Sequence, residues 1–135
     1  MRLRFLLLCF GLLPFMAARA ADGPRHKVVC PAGAPVEWQT RGGALSGVEV
    51  LAAPRGSKID ETAPPSLVPD EQIRHGANLQ QIWHMNAEGP GWAYYVDCHY
   101  HGAARVLRLD ASGTKRCERR LLADQPDGPQ SLACD

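Results

Sequence analysis

The chain has 135 residues, is 45% hydrophobic, and sets fifteen Lys and Arg against fourteen Asp and Glu, a formal charge of +1. No run of like charge is long enough to build the clustered basic face that nucleic-acid binding requires, so that class is excluded. Five cysteines in so short a chain make disulfide stapling and export the first question.

Met1-Arg2-Leu3-Arg4 is a basic leader start, and Phe5 to Ala17 is an apolar run broken only by Gly11 and Pro14. Ala18-Arg19-Ala20 then has the small-x-small pattern of a signal-peptidase site, which predicts a signal peptide over 1–20 with Ala21 the rival cleavage position. The apolar run is too short to span a bilayer, so no membrane insertion is expected after cleavage. Cys9 is no lipidation site, because Leu7 and Leu8 stand where small residues are needed. Loss of Arg2, Arg4 and Arg19 leaves twelve basic residues against all fourteen acidic ones, a formal charge of −2. What remains, 21–135, suits a single domain with one modest core.

Cys9 leaves with the leader, and Cys30, Cys98, Cys117 and Cys134 remain. An even count in a small exported domain predicts two disulfides. No C-x-x-C supports a redox role, and the wide spacing does not suit zinc.

Lys27 to Cys30 reads as a first strand, stopped by Pro31, and Val36 to Thr40 as a second, turning at Arg41-Gly42-Gly43 into a third over Gly47 to Leu51. Ala52 to Asp70 carries Pro54, Gly56, Pro64, Pro65 and Pro69, which predicts a long irregular connection. Leu79, Gln81, Trp83 and Met85 alternate along a further strand. The rival helix over Glu71 to Trp83 is interrupted by Gly76 and Asn78. After a turn at Gly89-Pro90-Gly91, Trp92 to Tyr100 is the strand that organises the chain. Trp92, Tyr94, Val96, Cys98 and Tyr100 share its buried face, while Ala93, Tyr95, Asp97 and His99 face water.

A two-residue turn at His101-Gly102 would set Cys98 against Arg105, Val96 against Leu107 and Tyr94 against Leu109. A slip by one would put Val96 against Arg108 on the core face. Ser112-Gly113 is the next turn, Lys115 to Leu122 a strand with Cys117, and Ala123 to Asp135 an irregular tail tethered by Cys134. If these strands form a meander, Cys98 and Cys117 are two inter-strand spacings apart, roughly 9–10 Å, beyond the roughly 7 Å that a disulfide spans. Of the two remaining pairings, Cys30–Cys98 with Cys117–Cys134 is preferred, because it closes a short C-terminal loop. The expected fold is mainly β, a small antiparallel sheet or open barrel of about six strands.

Leu45-Ser46-Gly47-Val48-Glu49-Val50, Ser66-Leu67-Val68-Pro69-Asp70, a Trp and the central Cys98 with two later cysteines together resemble an uncharacterised family of small exported proteins from Gram-negative bacteria. The resemblance implies a periplasmic location and two disulfides, and supplies no activity and no catalytic residues.

Asp97, His99 and His101 are the candidates for a metal site. Asp97 and His99 share a strand face and His101 belongs to the turn, so two ligands at most come together and no metal or other cofactor is expected. His84, His99 or His101 beside a Lys or Arg would imitate an acid–base pair, but no nucleophile elbow, H-E-x-x-H or phosphate loop accompanies them. Trp38, Trp83 and Trp92 read as core residues. The binding candidate is the long loop, centred on Lys58, Ile59, Asp60 and Glu61, whose prolines lower the entropy cost of an extended shape. The expectation is a non-enzymatic periplasmic binding module, of inhibitor or immunity type, with an envelope or secreted protein as partner. The alternatives are a small His-dependent enzyme, a metal-binding protein or a structural envelope component.

Overall fold

The computed structural model describes residues 26–38, 43–59, 65–85 and 88–135. The leader over 1–20 lies outside them. Eight strands run through the described residues: β1 (Val28–Val29), β2 (Leu45–Pro54), β3 (Glu71–His75), β4 (Asn78–His84), β5 (Trp92–Tyr100), β6 (Leu107–Asp110), β7 (Arg116–Leu122) and β8 (Gln125–Cys134). They form two open antiparallel sheets, one of five strands in the order β1–β8–β7–β4–β3 and one of three in the order β2–β5–β6.

The inner faces bury one core. Tyr94, Val96, Cys98 and Tyr100 of β5 pack with Val48, Val50 and Ala52 of β2, and with Trp83, Cys117, Leu132 and Cys134 of the larger sheet. Alternation along β5 places these side chains as expected, and Trp92 packs partly buried against them. Each fully buried Val or Leu contributes roughly 1.5–3 kcal/mol. Polar groups that enter the core are bonded. Trp83 donates its indole N–H to the Leu67 carbonyl at 3.0 Å, and the Tyr100 hydroxyl donates to the Pro31 carbonyl at 3.0 Å. Burial raises the Tyr100 phenol above its ordinary value.

Both disulfides form as expected. Cys30–Cys98 joins the end of β1 to β5 and so ties one sheet to the other. Cys117–Cys134 joins directly opposed residues of β7 and β8, with Cα atoms 4.0 Å apart. The meander behind the elimination of Cys98–Cys117 does not exist, since β6 and β7 belong to different sheets.

Other expectations change. Val36–Trp38 is a turn of 3-10 helix rather than a strand, because Pro35 starts it and the Trp38 N–H closes on the Pro35 carbonyl at 3.0 Å. Glu71–His75, for which no strand was expected, forms β3, and Gly76, which interrupts the rival helix as expected, is the hairpin turn between β3 and β4. His75 faces Asn78, and Gly76 takes the positive φ of 60° that such a turn requires. The tail is strand β8, which carries three prolines and glycines by leaving the ladder between Gln125 and Gln130. The β5–β6 register slips by two residues, so Val96 faces Leu109 and Cys98 faces Leu107. A two-residue slip keeps every side chain on its face, which is why periodicity could not detect it. The connecting loop lengthens to 101–106 and carries Arg105 away from the core face.

The long connection starts after Pro54 rather than at Ala52, because Ala52 and Ala53 are buried in β2 opposite Tyr94 and Ala93, and it is anchored at both ends. Arg55 donates its backbone N–H to the Gly91 carbonyl and its guanidinium to the Pro90 carbonyl, both at 2.9 Å. Ser66 bridges to Leu51, and the Leu67 N–H reaches the Val50 carbonyl at 2.7 Å. Lys58 is exposed and Ile59 half-buried, while Asp60 and Glu61 lie outside the described residues. Replacing Lys58 to Glu61 by Gly and Ser leaves every one of these anchors, so the urea midpoint should report a loss of about 1 kcal/mol or less.

On the outer face of the larger sheet, Glu118 bridges Arg120 at 2.5 Å and Arg116 at 2.9 Å. The hydrogen bond from Arg120, with both guanidinium charges, holds its carboxyl below the usual glutamate value. A carboxyl depressed on folding adds stability above its unfolded value of about 4.3, and that contribution is lost as the pH falls through the folded value. Stability should therefore decline as the pH falls below about 5, and Glu118→Gln should make that decline shallower in acid-titrated urea melts.

Candidate functional site

Asp97 sits on the outer face of the smaller sheet, where a half-buried strand would meet water, yet it is only 3% exposed. Arg108, its cross-strand partner on β6, accounts for this. The guanidinium donates Nε–H to Oδ1 and Nη2–H to Oδ2, both at 2.7 Å, in a bidentate pair. Such a pair satisfies both oxygens and permits burial.

His99 lies two residues further along β5, over Gly47 of β2, which has no side chain to push the imidazole outward. Its Nε2 is 3.7 Å from a Glu49 carboxylate oxygen, too long for a hydrogen bond, and this buried atom has no hydrogen-bond partner. The 101–106 loop closes the side of the site. Its Arg105 guanidinium stands over the Trp38 ring, 5.2 Å from the centroid, and Trp38 meets Tyr100 edge-on at 6.0 Å. Gly43 lets the loop come this close, because a Cβ there would collide with the His101 carbonyl. The result is a recess of about 450 Å³ lined by Glu49, Asp97, His99, Arg105, Val106 and Arg108.

The chain matches no protein-family model, no curated protein and no solved structure. What the recess does must therefore be read from its chemistry.

Asp97 and His99, paired on one face by the sequence, do meet in the recess. His101 does not join them, since its Nε2 contacts the Asp127 carbonyl at 3.0 Å. Among the described residues no three His, Cys, Asp or Glu side chains converge as a metal site would need. His84 contacts Glu71 at 2.7 Å, and both are half exposed. Trp83 is core, and Trp38 and Trp92 pack on its margin.

The recess contains three residues that sequence reasoning missed. In the sequence Glu49 carries no signal beyond its place on a strand, the expected register sets Arg105 opposite Cys98, and Arg108 meets the core only in the slipped register. A larger recess, about 780 Å³, lies at the far end of the five-stranded sheet, lined by His75, Asn78, Gln80, Arg120, Pro129 and Ser131 among others. Its one permanently charged side chain, Arg120, is already committed to Glu118. The smaller recess has the more specific chemistry: a bidentate pair as its floor and an arginine stacked at its side.

The described residues contain no helix long and apolar enough to cross a membrane. The two disulfides suit an oxidising compartment.

Proposed function

We propose that this chain is an exported, periplasmic binding module without catalytic activity, which docks on an envelope or secreted protein in the manner of an inhibitor or immunity protein. The basic-apolar leader, the paired cysteines and the family resemblance support the location. The observation that carries the function is the seating of Arg105 over Trp38 beside a recess in a disulfide-tied sheet. Arginine and tryptophan are the residue types that dominate the energetic centres of protein interfaces, and a side chain already held in place loses less freedom on binding.

The test is affinity capture from periplasmic extract with the exported protein, run beside its Arg105→Glu and Trp38→Ala variants. A saturable, stoichiometric protein partner is expected on the parent, and it should be lost from both variants while the Lys58 to Glu61 replacement retains it. Equal retention by all of them would contradict this use of the recess.

A further inference from the structure

Strand β3 is an open edge of the five-stranded sheet. It pairs with β4 on one side, and among the described residues no strand lies on the other. Glu71, Gln72, Arg74 and His75 are exposed and Ile73 is half-buried, so the strand is accessible along its whole length. The two-residue turn closes on His75 and Asn78 as a hydrogen-bonded pair. Backbone bonding alternates along an antiparallel ladder, so Glu71, Ile73 and His75 bond β4. Gln72 and Arg74 then turn their N–H and C=O groups to the open side. A free edge of this kind is a template for another strand.

We infer that β3 pairs antiparallel with β3 of a second copy of this chain, across a two-fold axis at Ile73. The order Glu71-Gln72-Ile73-Arg74-His75 selects that occupant, because it is its own complement when reversed. At both ends Glu71 of one copy faces His75 of the other, Gln72 faces Arg74, and Ile73 faces Ile73. The backbone agrees with this register. Gln72 and Arg74, the residues with outward groups, stand opposite one another and exchange their N–H···O=C bonds. A shift by two residues one way sets Arg74 against Arg74, and the other way leaves Glu71 against Ile73. Charges that guard an edge against indiscriminate pairing thus admit one neutralised register. Glu71 contacts His84 through Oε1 at 2.7 Å, which leaves Oε2 for the second copy. Arg74 has its Nε–H on the Gly76 carbonyl at 3.1 Å, and its terminal nitrogens serve the Gln72 amide. Pairing joins two five-stranded sheets edge to edge.

The test is analytical ultracentrifugation of the exported protein from about 10 μM to about 1 mM, the range in which so short an interface associates. A monomer–dimer equilibrium is expected. His75→Glu sets like charges opposite one another twice in the dimer and should weaken it by about tenfold. Adding Glu71→Lys to that variant should restore association, which a merely misfolded variant would not show. Ile73→Cys with dissolved oxygen as oxidant reads the register. Its two copies form a non-hydrogen-bonded pair with Cα atoms roughly 4.5 Å apart, so an intermolecular disulfide is expected. The copies in Gln72→Cys are offset by two residues, roughly 8 Å apart, and should stay as thiols. A monomer across the whole range would overturn the dimer. Association that His75→Glu leaves unchanged, that Glu71→Lys fails to restore, or that crosslinks at Gln72→Cys instead would overturn the assignment to β3 in this register.

Discussion

Replacing Cys30 and Cys98 together by alanine should lower the free energy of unfolding by about 4 kcal/mol, against about 3 kcal/mol for removing Cys117 and Cys134. The order follows from the loops that each bridge closes, 68 residues in the first case and 17 in the second. Architecture pushes the same way. Cys117–Cys134 reinforces two strands that already share a hydrogen-bond ladder, whereas Cys30–Cys98 is the covalent tie between the two sheets. Either loss is a large share of the 5–15 kcal/mol that a domain of this size has in total. Urea melts of the two double variants, compared at constant m-value, read the difference directly. A greater loss from the Cys117/Cys134 variant would show that the inter-sheet tie is not the dominant staple.

Arg108→Ala should cost about 3 kcal/mol, and more than Asp97→Ala at about 2 kcal/mol. The asymmetry comes from burial. The Asp97 side chain is 5% exposed and the Arg108 side chain 32%, so removing the arginine deprives the less solvated partner of its two hydrogen bonds. Removing the aspartate leaves a guanidinium that can turn toward solvent. The double variant should lose less than the sum of the two, because the stranded charge is then gone. A double-mutant cycle from thermal and urea melts would measure this. An Asp97→Ala loss equal to that of Arg108→Ala would mean that the carboxylate is not the vulnerable partner.

The β5 stretch was readable in the sequence because its five alternating apolar residues answer to one physical demand, a face buried on a second sheet. The disulfide pairing followed even though one of its premises failed. Cys117 and Cys134 needed only to be neighbours across a hairpin, whereas the elimination of Cys98–Cys117 loses its ground once β6 and β7 lie in different sheets, because a disulfide can also join facing sheets, as Cys30–Cys98 does. β8 was hidden because Pro126, Gly128 and Pro129 signal a break, and the strand accommodates them by bulging out between Gln125 and Gln130. The recess was hidden for another reason. Glu49, Asp97, Arg105 and Arg108 come from β2, β5, the 101–106 loop and β6, and a two-residue register error is enough to separate Asp97 from Arg108. Hydrophobic alternation fixes which face a side chain takes, but not which neighbour it meets. Asp97 looked solvent-facing, and only its pairing with Arg108 makes its burial understandable.

The central claim is that this stapled sheet exists to hold the Arg105 recess against another protein. Photo-crosslinking in the intact cell envelope tests it most directly, with p-benzoylphenylalanine placed at Val106 beside the recess or at Lys58 on the distant loop. Both positions are already exposed and tolerate the probe. The account predicts a discrete higher-mass adduct from Val106 that disappears when Arg105→Glu is added, and none from Lys58. An adduct from Lys58 with none from Val106 would contradict it and move the binding surface to the long loop.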